Sequence, residues 1–509
     1  LSYAMVTRNC SAVTAACLLT RRELFRGLGG FDALRFSVAY NDVDFCYRLG
    51  AAGYRVVYCP TADLIHHEGA SRGFVDDPAE PAAFRRKYGG RRDPFYNPNL
   101  SLDHERFPID ARTLAPDRLR PIRALMCAFN MNREGAPHSQ FELTVGLKEA
   151  GVIEPIVYCA EDGPLRADYE AHGIRVDVFE HPLAGVHDVA SYERGVKGFA
   201  EWMAAANVEV VYANTRETFY AIEAAHELGL PSIWNPRESE PWETYFEPLG
   251  AGIAARALRC FDYPYKVIFV ADATRRTCAP LDRHRNFMTI HNGLDRQRFL
   301  AALDRWPRAA TRGQLGIAPD EIAIVLPGTV CERKGQLDLI EAIACLDEPW
   351  ANGIRCFVVG DRPSDYSARV REAWQALPET IRSRIAILPT TPEMALYYAA
   401  CDVFVCTSRI ESFPRVILEA MAAGLPIVTT LAYGIAEQVQ EHVNALCYAP
   451  GDVPVLAAHL ARLSREPDLR RRLGDNSRHV LDSLTDFDAM VAAYARVFRE
   501  AWMSGGSRR

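Results

Sequence analysis

The amino-acid sequence predicts an α/β protein that contains two doubly wound domains. Short, continuously apolar runs such as Val403–Cys406 alternate with amphipathic helical stretches over most of the 509 residues. Strands that are apolar on both faces are typical of a parallel sheet covered by helices on either side. Two successive series of such β-α units, at residues 119–300 and 301–482, therefore predict two Rossmann-like domains that bind ligands at the carboxyl ends of their strands.

Local signals predict the individual strands and helices of both series. In the first series, apolar and β-branched runs predict strands at residues 123–129, 155–159, 174–179, 208–213, 232–234, 267–270 and 287–291. In the second series, they predict strands at residues 322–326, 354–359, 385–388, 403–406 and around 427–428, with helices at 364–377 and 392–400. The last segment, 483–509, is expected to form a helix that crosses back to the first domain.

Glu411 and Glu419 lie eight residues apart and flank a predicted strand-to-helix turn. Ser412 is a good N-cap and Pro414 fits the first turn, so a helix is expected from there to Ala423. The free N–H groups of such a helix attract a diphosphate, and a carboxylate accepts hydrogen bonds from paired sugar hydroxyls. The turn can therefore hold a sugar nucleotide. The alternative is a solvated acidic pair on an ordinary α/β domain.

The segment that contains both glutamates, CDVFVCTSRIESFPRVILEAMAAGLPIVTT, resembles the E-x7-E motif and the following EAMA-x-G-x-P-V stretch of glycosyltransferase family 4. The resemblance implies the GT-B fold, in which two Rossmann-like domains face a cleft. It also implies a retaining, metal-independent transfer of sugar from a nucleotide donor. In that family, the residues matching Glu411 and Glu419 hold the donor sugar and the ribose, and Ser412 and Phe413 lie in the same donor-binding turn.

A second motif, PGTVCERKG, precedes a predicted amphipathic helix. In the resembled family this loop contains Gly-Arg and then Lys-Gly, and both cations neutralise the donor diphosphate. Here Gly328 and Lys334 match, but Thr329 stands where the arginine is usual. Arg333 either reaches in as a replacement or is a solvated surface residue. Three further residues at predicted strand ends complete the expected donor site: Gly360, Pro389 and Thr390, of which the last two would border the base.

The first domain contributes two further candidate sites. Gly135 lies in a predicted loop, with Ala136 and Pro137, that resembles the family's glycine-bearing turn against the diphosphate and acceptor. Arg237, in IWNPRESEPW, stands where many family members have a histidine that contributes to the donor-sugar site. Arg237 either binds an anionic substrate group or pairs with Glu238 or Glu240. The predicted catalytic residues are Glu411, Lys334 and Arg237.

Residues 1–75 resemble the carboxyl half of a family 2 glycosyltransferase with the GT-A fold. The resemblance rests on Phe31-Asp32, on the Asn41-Asp42-Val43-Asp44 segment and on His66-His67. It implies that Asp42 matches a general base and that His66 can approach a metal. Because the nucleotide-binding strands of that fold are not present, we expect either a remnant or a truncated sequence, in which Asp42 is a turn or cap carboxylate as readily as a base. Residues 76–118 are predicted to be a linker.

The composition narrows the possible partners and location. The net charge of −7 gives no reason to expect nucleic acid as a partner. Fourteen cysteines without a C-x2-C pair favour reduced thiols and a cytoplasmic protein. A lipid-linked acceptor would place the protein peripherally at the inner face of the membrane. No cofactor is expected besides the nucleotide sugar, and the acceptor is predicted to be a glycan or a lipid-linked glycan. A sugar-nucleotide epimerase and a non-catalytic glycan-binding scaffold are the alternatives.

Overall fold

The computed structural model describes residues 6–37, 39–62, 79–88, 93–96, 120–346 and 353–505. The chain divides into two compact units, Leu1–Leu119 and Arg120–Arg509. Helix and strand bounds below refer to the described residues only. His66 and most of the predicted linker lie outside them.

The described part of the first unit is a small α/β assembly. Its two short strands, β1 (Arg8–Cys10) and β2 (Val56–Tyr58), pair antiparallel. The helices of this unit are Arg22–Gly27, Asn41–Ala51 and Ala79–Tyr88, with a 3-10 turn at Ala15–Cys17. Asp44 is fully buried and accepts hydrogen bonds from Arg48, Lys87 and Tyr88. This buried carboxylate ties the helix Asn41–Ala51 to the helix Ala79–Tyr88.

The second unit begins with a seven-stranded, fully parallel sheet, which we call the first lobe. Its strands are β3 (Ile122–Asn130), β4 (Ile153–Glu161), β5 (Arg175–Val178), β6 (Val210–Asn214), β7 (Ser232–Asn235), β8 (Lys266–Phe269) and β9 (Phe287–Thr289). They lie in the order β5-β4-β3-β6-β7-β8-β9. Each coincides with a predicted strand to within two residues at either end, because the apolar runs are continuous and bounded by polar residues.

A six-stranded parallel sheet follows and forms the second lobe. Its strands are β10 (Ile322–Pro327), β11 (Ile354–Asp361), β12 (Ile385–Pro389), β13 (Val403–Cys406), β14 (Ile427–Thr430) and β15 (Ala445–Tyr448). They lie in the order β12-β11-β10-β13-β14-β15. In both sheets the strand order reverses beside the first strand of the series. Such a switch point leaves a crevice at the carboxyl ends of the strands, between β3 and β6 and between β10 and β13.

Helices cover both faces of each sheet. The α-helices of the second unit are Gly135–Glu149, Leu165–Ala171, Val189–Ala205, Phe219–Glu227, Trp242–Tyr245, Ala251–Arg259, Asp272–Thr277, Arg296–Asp304, Arg308–Gln314, Gln336–Ala344, Asp365–Gln375, Glu379–Arg382, Met394–Ala400, Arg415–Ala423, Val453–Arg465, Pro467–Asp482 and Phe487–Gly505. Short 3-10 turns lie at Arg216–Thr218, Glu247–Leu249, Ala279–Leu281, Glu332–Lys334 and Tyr433–Glu437. Each sheet thus has an apolar core on both sides, which explains why its strands are apolar throughout.

The last helix, Phe487–Gly505, leaves the second lobe and packs on the first. Tyr494 and Phe498 are buried there against Tyr212 of β6. The two chain segments that connect the lobes also touch, because a Cβ on Gly293 would lie 2.3 Å from the carbonyl oxygen of Asp486. Glycine at position 293 therefore allows the two connections to pass side by side.

Two predicted helix starts differ from the structure. The helix that carries Glu419 begins at Arg415, after an extended Pro414, and Ser412 does not cap it. The Ser412 hydroxyl is instead bonded to the first lobe, a contact that local sequence signals do not reveal. In the first lobe, Gly135 was predicted to lie in a loop, but it begins the helix Gly135–Glu149. Pro137 is tolerated because the first-turn N–H groups have no intrahelical partner.

Candidate functional site

The carboxyl edges of the two sheets face each other, and loops from both edges touch. The Ser412 hydroxyl, after β13, donates to the carbonyl oxygen of Arg237, after β7, and lies 2.7 Å from the hydroxyl of Ser239. A separate ion pair joins Glu134 of the first lobe to Arg362 of the second. The cleft predicted for a GT-B fold is therefore bounded by the loops that follow the strands of both switch points.

Lys334 and Glu411 form an ion pair at the switch point of the second sheet. Both side chains are largely buried, with 15% of Lys334 and 13% of Glu411 exposed. Burial favours the neutral acid, but the charges of Lys334 and Arg333 outweigh it and hold the pKa of Glu411 below its ordinary value. Glu411 is therefore a carboxylate whose charge two cations balance.

Arg333 is the second cation of this cluster. Its Nη1 lies 3.6 Å from Oε2 of Glu411, and its Nε lies 3.7 Å from Oε1 of Glu240 in the first lobe. Burial lowers the pKa of Arg333, but Glu411 and other nearby acidic groups outweigh that effect and raise it. The guanidinium thus extends into the cleft beside Lys334. Thr329 contributes no charge at the position where the resembled family has arginine.

Glycines let the loops that carry these side chains approach closely. Gly360 has a φ of +124°, and a Cβ there would lie 2.4 Å from the carbonyl oxygen of Gly328. Gly335 has a φ of +65°, and its Cβ would lie 2.5 Å from the carbonyl oxygen of Thr407. Because Thr407 also donates a 2.6 Å hydrogen bond to the carbonyl oxygen of Lys334, the lysine is held at the end of β13.

Glu419 lies on the helix Arg415–Ala423 with both carboxylate oxygens in contact with donors. The Tyr398 hydroxyl donates to Oε2 at 2.9 Å, and Nε of Arg415 donates to Oε1 at 2.7 Å. A carboxylate has about four acceptor positions, so each oxygen can still accept a hydrogen bond from a ligand hydroxyl. The tyrosine and the arginine hold the carboxylate in one orientation.

Pro389 and Thr390 lie at the same carboxyl edge as Glu411 but toward its far side. Both are exposed at the end of β12, an edge strand of the sheet. Three strand spacings separate β12 from β13, which is about 14 Å. That span suits the extended shape of a nucleotide more than a contact with the donor sugar.

Phe413 and Ser412 are occupied by contacts between the lobes. The Phe413 ring is buried and stacks on His291, with ring centroids 4.8 Å apart. The carbonyl oxygen of Phe413 accepts a hydrogen bond from Asn292 at 3.1 Å. Their side chains are thus engaged within the protein, and the backbone N–H of Ser412 is hydrogen-bonded to the Glu411 carboxylate.

Arg237 contacts neutral amides rather than acids. Its Nε donates to Asn214 Oδ1 at 2.6 Å, and its Nη1 donates to Asn292 Oδ1 at 3.1 Å. Within the described ranges, Glu238 and Glu240 form no ion pair with this guanidinium, although the backbone N–H of Arg237 donates to Glu238. The positive charge of Arg237 is therefore available for an anionic group in the cleft.

Glu238 has an unusual environment that the sequence did not indicate. Its Oε2 accepts hydrogen bonds from the backbone N–H groups of Arg216 and Arg237, each at 2.9 Å. Burial, followed by the nearby charge of Glu217, raises the pKa of Glu238 to about 8. The only sequence signal was its position beside Arg237 at a strand end.

Gly135 begins a helix at the first-lobe side of the cleft. A Cβ at this position would meet no atom within 4 Å, so packing does not require glycine there. The open space is instead available to a group that approaches the helix N-terminus from the cleft.

In the first unit, Asp42 accepts two backbone hydrogen bonds. Ala15 donates to its Oδ2 at 2.9 Å and Val43 donates to its Oδ1 at 2.8 Å. The carboxylate thus ties the 3-10 turn Ala15–Cys17 to the helix Asn41–Ala51. This arrangement matches the turn carboxylate that was one of the two readings, and a role as a base stays a prediction.

Two negative findings apply to the described residues. In these ranges, no group of three or more histidine, cysteine, aspartate or glutamate side chains is placed to hold a metal ion. Among the helices that the structure describes, none is both long and apolar enough to cross a membrane.

Comparisons with known proteins relate this chain to glycosyltransferases. Residues 307–480 match the family model of glycosyl transferases group 1. The chain is 31% identical over 221 residues to the D-inositol 3-phosphate glycosyltransferase of Streptomyces bingchenggensis, covering 42% of this chain and 47% of the relative. It is 44% identical over 119 residues to the O-antigen biosynthesis protein RfbC of Myxococcus xanthus, covering 21% of this chain and 9% of the relative. The chain thus spans less than half the length of either relative.

A third relative is covered more fully. The chain is 25% identical over 275 residues to the lipopolysaccharide core biosynthesis glycosyltransferase LpsE of Rhizobium meliloti, covering 52% of this chain and 74% of the relative. Two of these three relatives are named glycosyltransferases, which agrees with the enzyme class that the motifs predict.

Solved structures confirm the fold. Anabaena HepE, in a complex with UDP-glucose, superposes with a TM-score of 0.62 at 21% identity, covering 75% of this chain and all of that one. The sucrose-phosphate synthase of Thermosynechococcus elongatus gives a TM-score of 0.61 at 18% identity with the same coverage of this chain. The fold is GT-B, as predicted, and the resemblance of residues 1–75 to family 2 stays a prediction.

Proposed function

We propose that this protein is a retaining glycosyltransferase that moves a hexose-type sugar from a nucleotide-diphosphate donor to a glycan or lipid-linked acceptor in cell-surface polysaccharide biosynthesis. The observation that carries the proposal is the cluster of Lys334, Arg333 and Glu411 at the switch point of the second sheet. A nucleotide sugar needs cations for its diphosphate and a carboxylate for its sugar hydroxyls. This cluster offers both groups side by side.

The cluster would rearrange when the donor enters the cleft. At present the two cations balance the charge of Glu411. A diphosphate carries more negative charge than one carboxylate, so Lys334 and Arg333 would turn toward the phosphate oxygens. Glu411 would then accept hydrogen bonds from the donor sugar. The ion pair therefore keeps both cations and the carboxylate beside the proposed donor site, so that only their side chains need to reorient.

Transfer would proceed with retention at the anomeric carbon, as the family resemblance implies. The bond between that carbon and the leaving phosphate oxygen breaks, and the bond to the acceptor oxygen forms on the same face. The acceptor proton passes to the departing phosphate oxygen. Lys334 and Arg333 stabilise the charge that develops on the diphosphate, and orientation of the two substrates supplies the rest of the catalysis.

The first lobe would complete the site. Arg237 is held by Asn214 and Asn292 and lacks an acidic partner within the described residues, so it can bind an anionic group of the donor or acceptor. The open space at Gly135 lets a substrate reach the helix N-terminus beside it. We propose that Lys334, Arg333 and Arg237 neutralise the donor, a role that a metal ion has in other glycosyltransferases. We also propose that the protein works in the cytoplasm, at the inner face of the membrane.

The choice of donor and pathway rests on the relatives. The complex of HepE with UDP-glucose makes UDP-sugars the first donors to test. The names of LpsE and RfbC refer to lipopolysaccharide core and O-antigen biosynthesis, which favours a bacterial surface glycan as the acceptor.

The proposal is tested by incubating the purified protein with UDP-, GDP- and ADP-sugars, with and without lipid-linked glycan acceptors. We expect nucleotide diphosphate release that depends on an acceptor, a product heavier by one hexose, and an anomeric configuration by NMR equal to that of the donor. A variant with both Lys334→Ala and Glu411→Ala serves as the control. Donor alone giving an epimerised free sugar would show an epimerase, and donor binding without turnover would show a scaffold. Either result overturns the proposal.

A further inference from the structure

One arginine in the cleft lies between carboxylates from the two lobes. Nη1 of Arg415 forms an ion pair with Glu142, on the helix Gly135–Glu149 of the first lobe. Nε of the same guanidinium donates to Oε1 of Glu419, on its own helix in the second lobe, at 2.7 Å. The three side chains are 16%, 6% and 15% exposed, respectively, so water competes little for these contacts.

We propose that Arg415 is a positioning residue that couples nucleotide binding at Glu419 to closure of the two lobes. The inference rests on the proposed function, in which Glu419 accepts hydrogen bonds from the ribose of the donor. It adds a route by which the first lobe affects the nucleotide site, although Glu142 belongs to the opposite wall of the cleft.

The planar guanidinium of Arg415 links the orientation of Glu419 to the contact with Glu142. Arginine presents its donors in a rigid, planar fork, so an ion pair at Nη1 fixes the direction of the Nε–H bond. With Glu142 bound at Nη1, the Nε–H bond is directed at Glu419. The Tyr398 hydroxyl holds the other oxygen of that carboxylate. Glu419 is thus oriented by one group from its own lobe and by one that depends on the closed arrangement.

The charges in this cluster keep Glu142 ionised beside Arg415. Burial raises the pKa of Glu142, but Arg415 outweighs it, so the pKa lies below its ordinary value and Glu142 is a carboxylate. Burial, followed by Arg415, lowers the pKa of the neighbouring His138 to about 4, so this histidine is neutral at pH 7. Arg298 and Arg133 also face His138 and lower its pKa, but Arg415 is the cation that contacts Glu142 directly.

Opening of the lobes would separate Arg415 from Glu142 and release the fork. Glu419 would then keep Tyr398 but lose the fixed direction of its second partner. A nucleotide that needs an oriented Glu419 would bind the open form more weakly, and by linkage the bound nucleotide would favour closure by the same factor. The chain contains a matched comparison, since Glu134 and Arg362 also pair between the lobes but neither contacts Glu419.

The test compares Glu142→Gln with Glu134→Gln in the full chain. Calorimetry measures the affinity for UDP, GDP and ADP, and the nucleotide that binds the unaltered protein most tightly is used throughout. We expect Glu142→Gln to weaken its binding by about 5- to 50-fold, and Glu134→Gln to change it less than about two-fold. The melting temperature of each variant is measured to check that it is folded. An equal loss in both variants, or no loss in Glu142→Gln, overturns the coupling.

A double-mutant cycle separates this inference from the function on which it rests. Glu419→Gln alone should weaken nucleotide binding, and adding Glu142→Gln to it should have little further effect, because both act through Arg415. If Glu419→Gln leaves affinity unchanged, or if none of the three nucleotides binds, the proposed donor site is wrong and the coupling falls with it. If Glu419→Gln weakens binding but the two effects simply add, only the coupling is wrong. Arg415→Lys keeps the charge but loses the fork, so it should behave like Glu142→Gln.

Discussion

Nζ of Lys334 and Oε2 of Glu411 are in contact where the loops after β10 and β13 meet. The lysine follows one strand of the switch point and the glutamate follows the other, so the pair spans the crevice in which a ligand of this fold binds. A cation and an acceptor for hydroxyl groups are thereby held together before any substrate arrives.

Lys334 is expected to act mainly in the transition state. If it stabilises charge on the departing diphosphate, Lys334→Ala should lower turnover more than donor affinity, with a barrier increase of about 2–4 kcal/mol. Steady-state kinetics with saturating acceptor gives the two effects separately. A turnover number equal to that of the unaltered protein would remove Lys334 from the mechanism.

Arg333 is expected to supply the cation that Thr329 lacks. Arg333→Ala should reduce kcat/KM for the donor by about 10-fold, equivalent to about 1.4 kcal/mol, because one charge-assisted contact with the diphosphate is lost. Arg369→Ala is the matched control, since Arg369 is exposed and pairs with the exposed Glu332 rather than with Glu411. If both variants lose the same activity, a general effect of surface charge explains the result and Arg333 has no specific role.

The two glutamates should give different kinetic defects. Glu419→Ala removes the proposed ribose contacts and should weaken nucleotide binding by about 1–3 kcal/mol. Glu411→Ala should instead lower turnover, because Glu411 is proposed to hold the reacting sugar. Calorimetry with the nucleotide diphosphate and turnover assays with the donor are the two measurements. The same profile in both variants would contradict the division of roles.

The strands, their order along the chain and the loops that bear the motifs were predictable, because buried strands and helix starts depend on local sequence. The strand β15 was missed because Ala445–Tyr448 contains no β-branched residue, whereas the other four-residue strands of this sheet contain valine, isoleucine or threonine. Contacts between lobes were not predictable either. Ser412 looked like a helix cap but bonds to the first lobe, and Arg237 had acidic neighbours in the sequence but bonds to Asn214 and Asn292.

One missed contact did have a local signal. Arg415 precedes Glu419 by four residues on the same helix, a spacing at which side chains of a helix meet. The pairing of Arg415 with Glu142 had no local signal in the sequence, because those two residues come from different lobes and meet only after both sheets have formed. Similarly, the raised pKa of Glu238 depends on burial that the tertiary structure creates.

Glu238 should make stability depend on pH. Its pKa is raised from 4.5 to about 8, so the folded state binds the proton more tightly than the unfolded state. The stabilising effect of this proton is present below about pH 4.5 and is lost as the pH rises toward 8. The melting temperature of Glu238→Gln minus that of the unaltered protein should therefore increase from pH 4.5 to about pH 8. Glu243→Gln, at an exposed helical position, is the control variant, and a difference for Glu238→Gln that does not change with pH would contradict the raised pKa.

The site of transfer activity can be assigned by removing the first unit. Residues from Arg120 onward form a separate compact unit that contains both lobes. In the first unit, the Asp42 carboxylate accepts hydrogen bonds from backbone N–H groups. We therefore expect no transfer activity from residues 1–119.

A chain that begins at Arg120 should therefore keep full activity, and Asp42→Asn in the full chain should behave like the unaltered protein. EDTA should leave all three rates unchanged, because Lys334, Arg333 and helix N-termini are proposed to neutralise the diphosphate without a divalent cation. Each protein is assayed with the same donor and acceptor, and circular dichroism shows whether the shortened chain is folded. If the folded shortened chain or Asp42→Asn is inactive, catalysis does not belong to the GT-B cleft alone, since no residue of that cleft would have been altered.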